Sequence, residues 1–203
     1  MELKYSDFYE FGGAIVCTTF TALPEKFLQL RSNKELDKAN EFLDSLAYGD
    51  YDNMDPIIWK QDSNYGNKMR DVLWCSTSLF LISDRFKNIL IESGLTGWKS
   101  YPILLYDKKG NQIEGYNGFS IIGRGGNMFQ HESPPVEFGY SPKSLGYYFE
   151  FSEWDGSDIF RIFPHHVIIS QQFADVLLNH KISGIEIDRI TDYGDWKKTR
   201  RIL

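Results

Sequence analysis

Few residues of this chain have the types and spacing that catalysis or metal binding requires. His131-Glu132 is like the start of a zinc-binding helix, but the proline pair at 134–135 prevents a helix from bringing round a second histidine. His165 and His166 are adjacent, and on a strand their side chains would point to opposite faces, which is poor geometry for one metal ion. We therefore predict no metal and no cofactor.

A glycine-rich segment and a serine offer two further candidates for chemistry. The segment Gly123–Gly126 lacks both the lysine and hydroxyl of a phosphate loop and the third glycine of a dinucleotide turn. It therefore predicts a flexible turn, with contact to a ligand as the lesser alternative. Ser120 does not have glycines two residues away on each side, as a nucleophile elbow requires. Neither candidate therefore matches a known catalytic motif.

An acidic segment is the strongest candidate for a binding surface. Residues 35–62 contain eight acidic side chains and two lysines, so the formal charge of this segment is −6. The net charge of the whole chain is also −6. Aromatic rings interleave with these carboxylates, as in interfaces where rigid anchors are surrounded by charge. A solvated helix face followed by a polar loop is the plain alternative. The residues that we predict to contact a partner are Asp50, Tyr51, Asp52, Asp55, Trp59 and Asp62.

These residues must be positioned by a fold whose clearest sequence signal is a duplication. Residues 71–103 align without a gap onto residues 158–190. In each copy an apolar run predicts a buried strand, and a serine that can cap a helix follows it. Apolar residues at helical spacing come next, and a glycine then precedes a second extended segment. Each copy therefore predicts a strand, a helix and a strand.

The fold class that follows is α+β, with duplicated strand-helix-strand units packed with antiparallel hairpins and approximate internal pseudo-symmetry. We expect residues 1–203 to form a single compact domain or two intimately packed halves. Ser32 and Glu35 make a capping box for a helix that ends at Gly49. Hairpins are predicted at 101–116 and 147–163, and a long loop over 123–143.

Composition limits the compartment and the partners. The two cysteines, Cys17 and Cys75, lie in apolar stretches without paired spacing, which predicts buried, reduced thiols. The N-terminus has no basic start followed by an apolar region, and no stretch reaches the roughly 18 apolar residues of a membrane span. We therefore expect a cytoplasmic protein. We also expect that it does not bind nucleic acid, because its charged segment is acidic and would be repelled by phosphates.

The repeat resembles a bacterial family of immunity proteins of polymorphic toxin systems, the eleventh such type, formerly known only as a domain of unknown function. The resemblance covers chiefly residues 71–190 and is clearest at 158–190, where an Asp-Ile-Phe-Arg strand precedes the apolar strand, the serine and the helix. It implies a cytoplasmic protein that binds and neutralises a cognate toxin protein, without catalysis of its own. No functional residues can be carried over from the family.

Two other functions stay open from the sequence. The chain could be a small-molecule-binding domain or an undetected enzyme, with residues 123–142 as a lid over a pocket between the two repeats; a deep polar pocket would favour this reading. It could also be a scaffold that only dimerises, in which case a large apolar surface patch is expected.

Overall fold

The computed structural model describes residues 4–13, 17–51, 55–75, 79–129, 148–163, 166–192 and 201–202. These residues form an α+β structure with four α-helices and fifteen short strands. The helices are α1 (Glu25–Ser32), α2 (Leu36–Tyr48), α3 (Asp84–Glu92) and α4 (Gln171–Asn179). The strands are β1 (Phe8–Gly13), β2 (Ala22–Pro24), β3 (Ile57–Gln61), β4 (Val72–Trp74), β5 (Phe80–Ser83), β6 (Trp98–Tyr101), β7 (Ile103–Tyr106), β8 (Gln112–Ile113), β9 (Tyr116–Ile121), β10 (Gly123–Phe129), β11 (Tyr148–Phe149), β12 (Ile159–Phe163), β13 (His166–Ser170), β14 (Ile185–Arg189) and β15 (Arg201–Ile202).

The described strands form three sheets. The largest has seven strands in the order β11-β10-β12-β13-β1-β14-β15, and only its β10–β12 pair is parallel. A four-stranded mixed sheet has the order β2-β3-β7-β8, with β3 and β7 parallel. A four-stranded antiparallel sheet has the order β4-β5-β9-β6. The two repeat units therefore lie in different sheets, the first in the antiparallel sheet and the second in the seven-stranded sheet.

Each repeat unit has the predicted strand, helix and strand. The β5 side chains are buried on both sides, since Phe80 and Ile82 belong to one core cluster and Leu81 to another, which explains the continuous apolar run. Ser83 and Ser170 cap α3 and α4 as expected: each hydroxyl accepts a hydrogen bond from the backbone N–H three residues later, at 3.1 and 3.2 Å.

An aspartate at the start of each unit joins that unit to the other one. Within its own unit, Asp71 accepts a hydrogen bond from the Ser83 hydroxyl at 3.0 Å, and Asp158 accepts one from the Ser170 hydroxyl at 3.0 Å. Across the units, Asp71 accepts from the backbone N–H of Ser183 at 3.0 Å. Asp158 accepts in the same way from the backbone N–H of Thr96 at 3.0 Å. Each carboxylate thus holds the connection before the last strand of the opposite unit.

The strands of the two units pair in the same way. In the first unit β9 lies between β5 and β6, and in the second β1 lies between β13 and β14. The register also matches: Ser83 faces Tyr116 where Ser170 faces Phe8. The sequence repeat did not predict β1 and β9, because both strands lie outside the aligned residues.

The largest core cluster contains side chains of both units. It includes Phe86 on α3 and Phe173 on α4, whose ring centroids are 6.5 Å apart. A second cluster joins the inner face of α2 to the mixed sheet through Leu46 and Trp59. A third, around Phe149 and other aromatic rings, covers the opposite face of the seven-stranded sheet. The helix α2 is thus fixed on the body of the molecule.

Three local predictions were wrong. Ser32 does not cap α2: it ends α1, a helix that the sequence analysis missed, and its hydroxyl donates to the Gln29 carbonyl. The hairpin predicted at 147–163 does not form, since β10 lies between β11 and β12. Residues 123–129 are strand β10 and not the start of a loop, while the rest of that predicted loop, 130–143, lies outside the described residues. The other hairpin is present as β7 and β8.

Candidate functional site

The outer face of α2 carries a stripe of acidic side chains. Asp37, Glu41 and Asp44 follow one another at helical spacing and are all exposed. Tyr48, one turn further on, is 45% exposed, and exposed Asp50 follows the end of the helix. We call Asp37, Glu41, Asp44, Tyr48 and Asp50 the acidic stripe. It presents four carboxylates and one aromatic ring to solvent.

Two side chains from different sheets hold the C-terminal end of α2. The buried Ser120 hydroxyl of β9 donates to the Leu46 carbonyl at 2.5 Å, and the Arg161 guanidinium of β12 donates to the Ala47 carbonyl at 3.5 Å. A cation at a helix C-terminus also interacts favourably with the helix dipole. These contacts fix the end of the acidic stripe on the protein core.

The chain turns sharply after this helix end. Gly49 has φ +75°, in the left-handed region, and a Cβ there would lie 2.7 Å from Ile122 Cγ2. Glycine is therefore required at this position by backbone conformation and by space. The turn places Asp50 beside β10.

The structure places the predicted partner-contacting residues in different environments. Asp50 and Asp55 are exposed, and Asp52 lies outside the described residues. Asp62 is half-buried, and its carboxylate accepts a hydrogen bond from the Asn64 backbone N–H within a turn. Two of the acidic candidates are thus accessible to a partner, and a third has a structural role in its own loop.

The two aromatic candidates pack inward. Trp59 on β3 is fully buried in the cluster beneath α2, so the prediction that it contacts a partner is wrong. Its strand alternates, with Ile58 and Lys60 facing outward and Trp59 facing the core. Tyr51 is partly buried and packs edge-on against Tyr101, at 4.7 Å between ring centroids. Burial raises the pKa of the Tyr51 hydroxyl. The exposed ring in this region is that of Tyr48.

A cavity of about 450 Å³ opens at the C-terminal end of α2. Its walls come from the end of α2, from β10 and from β12. The lining residues are Tyr48, Asp50, Ile122, Gly123, Arg124, Gly126, Asn127, Arg161, Ile162 and Phe163. The cavity therefore contacts the second repeat unit and not the first, unlike the pocket between the units that the sequence analysis considered.

A bulge in β10 shapes one wall of this cavity. Arg124 pairs with Arg161, but Asn127 pairs with Phe163, so β10 contains one extra residue between these pairs. Gly126 lies in the bulge at φ +70°, and a Cβ there would collide with the Glu153 side chain. Glu153 in turn accepts a hydrogen bond from the Asn127 backbone N–H at 3.0 Å. The glycine-rich segment is therefore a bulged strand and not the flexible turn that we predicted.

Arg161 is a buried cation at the base of the cavity. Its exposed fraction is 9%, and its guanidinium lies over the Tyr48 ring, 5.2 Å from the centroid. Burial lowers the pKa of Arg161, and Tyr48 and Asp44 partly offset this effect. The side chain is thus coupled to the acidic stripe through both of these residues.

The other candidates for chemistry have structural environments. Ser120 is fully buried and donates to the α2 carbonyl described above. His166 Nδ1 lies 2.8 Å from Glu10 Oε1, while His131 and His165 lie outside the described residues. Among the residues that the structure describes, no three His, Cys, Asp or Glu side chains are grouped so that they could hold a metal ion. None of the described helices is both long and apolar enough to cross a bilayer.

No family model matches the chain, and no curated protein is significantly similar to it in sequence. The resemblance of the repeat to an immunity family therefore stays a prediction. The site rests on the geometry of this molecule alone.

The sequence contains signals for several residues that were not among the predicted ones. Asp71 and Asp158 are identical between the repeats, and a hydroxyl residue, Thr96 or Ser183, precedes the glycine in each copy. These residues predict that an aspartate contacts a hydroxyl residue in each copy. They do not predict that each contact joins one unit to the other. For the acidic stripe, the helical spacing of Asp37, Glu41 and Asp44 was the available sequence signal. No sequence signal predicted that Arg124 pairs with Arg161, because the tertiary fold decides which distant strands become neighbours.

Proposed function

We propose that this chain is a non-catalytic protein-binding module, an immunity protein that neutralises a basic bacterial toxin domain in the cytoplasm by binding it through the acidic stripe. The observation that supports the proposal is the alignment of Asp37, Glu41 and Asp44 on the exposed face of a firmly anchored helix. Toxin domains that act on nucleic acid carry basic surfaces, and complementary charge both speeds association and selects the partner.

The setting of the stripe also supports the proposal. The helix is anchored at its C-terminal end by Ser120 and Arg161, so its carboxylates are held in a fixed arrangement before a partner arrives. Pre-organisation lowers the entropy cost of binding. Tyr48 provides an aromatic ring at the end of the stripe, a residue type that often dominates binding energy at interfaces. A merely solvated helix face needs neither feature.

We also propose that the two repeat units are related by an approximate internal twofold axis. The reciprocal contacts of Asp71 with Ser183 and of Asp158 with Thr96 support this view. Gene duplication followed by exchange of contacts between the copies would produce such an arrangement. In this proposal the duplicated part is the scaffold, and α2, which lies outside both copies, provides the binding surface.

A charge-reversal variant tests the binding surface. The triple variant Asp37→Lys, Glu41→Lys, Asp44→Lys should reduce the association rate constant for the product of the adjacent gene, the proposed toxin, by about 10- to 100-fold at low salt, because it removes the electrostatic attraction. Stopped-flow fluorescence measures this rate. A second variant, Asp50→Lys with Asp55→Lys, tests the loop that follows the helix.

The matched control reverses three exposed carboxylates elsewhere. Glu92, Glu114 and Glu150 are exposed and lie outside the acidic stripe. Their change to lysine gives the same net charge as the triple variant and should alter the association rate much less. Equal rates for the two triple variants would assign the effect to net charge. In that case the acidic stripe would not be the binding surface.

A further inference from the structure

The cavity at the end of α2 has two cations on one wall. Arg124 and Arg161 are directly paired residues of the parallel strands β10 and β12, so their side chains leave the same face of the sheet. Both side chains line the cavity. Like charges at directly paired positions repel each other, and an anion between them would remove this repulsion.

The two guanidinium groups have different roles. Arg161 is buried and is held by the Ala47 carbonyl and the Tyr48 ring. Arg124 is exposed, and its backbone forms hydrogen bonds with Asp155. Among the described residues, none forms a hydrogen bond or an ion pair with the Arg124 side chain. Arg124 is therefore available to a ligand, while Arg161 provides a fixed positive charge beside it.

The rest of the lining is mainly apolar. Ile122, Ile162 and the rings of Tyr48 and Phe163 contribute hydrocarbon surface, and Phe163 is 68% exposed. Asp50 is the one acidic residue among the lining residues, against two arginines. A volume of about 450 Å³ is within the range of small-molecule sites. A cavity of this kind suits a molecule with one anionic group and an apolar body.

We propose that this cavity binds a small organic anion, a carboxylate or a phosphate monoester with an aromatic or aliphatic body. The Arg124 guanidinium binds the oxyanion through its planar pair of N–H donors, and Arg161 provides the second positive charge. The body of the ligand packs against Tyr48 and Phe163. This site shares Tyr48 and Asp50 with the acidic stripe, while Asp37, Glu41 and Asp44 are not among its lining residues.

Isothermal titration calorimetry of the full chain tests the site with four small probes. Phenyl phosphate and benzoate both have an aromatic ring, but the first carries a phosphate and the second a carboxylate. Comparing them therefore distinguishes phosphate recognition from carboxylate recognition. Benzyl alcohol has the body without the charge, and inorganic phosphate has the charge without the body. At least one of the two aromatic anions should bind with a dissociation constant of about 1 mM or tighter, and both simple probes should bind more weakly.

Three variants assign the binding to the cavity. Arg124→Gln should weaken binding by at least about tenfold, because a charged hydrogen bond is lost. Phe163→Ala should weaken it less, and Asp50→Asn should strengthen it by removing the one negative charge of the lining. The control Lys109→Gln removes an exposed cation from a distant turn and should leave the affinity unchanged.

Either of two results would overturn the proposal. One is the absence of binding by both aromatic anions at about 10 mM. The other is an unchanged affinity in Arg124→Gln, which would place the anion elsewhere on the protein. Toxin binding by Arg124→Gln, measured in parallel, separates this proposal from the proposed function, since the variant leaves Asp37, Glu41 and Asp44 intact.

Discussion

At the scale of single residues, the Asp71 carboxylate is a centre of hydrogen bonding between the two repeat units. It accepts hydrogen bonds from the Ser83 hydroxyl, from the backbone N–H and hydroxyl of Ser183, and from Arg85. Burial alone would raise the pKa of Asp71, but these hydrogen bonds together lower it below its ordinary value. The ionised carboxylate is therefore the form that stabilises the fold.

The sign of this pKa change predicts a pH dependence of stability. A carboxyl with a lowered pKa in the folded state contributes its stabilisation above its unfolded pKa, about 4, and loses it as the pH falls through the folded value. Asp71→Asn should lower the free energy of unfolding by about 2 kcal/mol at neutral pH, with a smaller difference near pH 3. Urea unfolding at both pH values measures this. A difference that does not change with pH would show that the charge of Asp71 has no role.

The two cysteines provide a second prediction at this scale. Cys75 is buried, and burial raises the pKa of its thiol to about 12, although two backbone hydrogen bonds lower it in part. Cys17 is exposed, so the expectation that both thiols are buried was wrong for this residue. At pH 8 a thiol reagent should label one cysteine rapidly in the native protein and two in urea. Cys17→Ser should abolish the rapid phase. Rapid labelling of Cys75 in the native protein would contradict its burial.

At the scale of elements, the connections between helix and last strand hold the two units together. Gly97 and Gly184 have φ values of +91° and +90° at matching positions. A Cβ on Gly97 would lie 2.0 Å from the Ile159 carbonyl oxygen, and one on Gly184 would lie 2.2 Å from that of Val72. Each glycine thus allows the backbone of one unit to approach the first strand of the other.

Alanine substitution tests this close approach. Gly97→Ala and Gly184→Ala should each lower the free energy of unfolding by more than about 2 kcal/mol, because the left-handed backbone costs about 1–2 kcal/mol and the collision adds to it. Gly110→Ala is the matched control: φ is +84° and a Cβ would meet no atom within 4 Å. Gly110→Ala should lower the free energy of unfolding only by the cost of the left-handed backbone conformation. Equal losses in all three variants, measured by urea unfolding, would mean that the packing of the units does not depend on these glycines.

The elements also show which parts of the fold the sequence could predict. The helices α3 and α4 were predicted correctly, because Ser83, Ser170 and the apolar stripes act within a few residues of each other. The capping box failed because Ser32 belongs to the last turn of α1. The hairpin at 147–163 failed because β10 inserts between the two strands, and pairing with a distant strand leaves no local signal.

The candidate site was predictable to a smaller extent. The charge of residues 35–62 identified α2 and the loop that follows it, but not which side chains are exposed. Alternation in β3 could have placed Trp59 in the core, since Lys60 must face solvent. The cavity could not be predicted, because it depends on how α2, β10 and β12 meet in the tertiary structure.

At the scale of the whole molecule, the scaffold and the proposed binding surface come from different parts of the chain. The repeat units provide the largest core cluster and the reciprocal aspartate contacts. The acidic stripe lies on α2, before the first unit in sequence, and contacts from β9 and β12 hold it in place. In this account, changes to the stripe alter binding first, and changes at Asp71 or Asp158 alter stability first.

The most direct test of this account is the affinity of the purified protein for the product of the adjacent gene, the proposed toxin, measured over a series of salt concentrations. Charge-driven association weakens as salt screens the carboxylates of the acidic stripe. The account predicts tight binding at low salt that weakens steadily with added salt, and a flatter dependence for Asp37→Lys, Glu41→Lys, Asp44→Lys. Absence of binding, or an affinity that does not respond to salt, would contradict it.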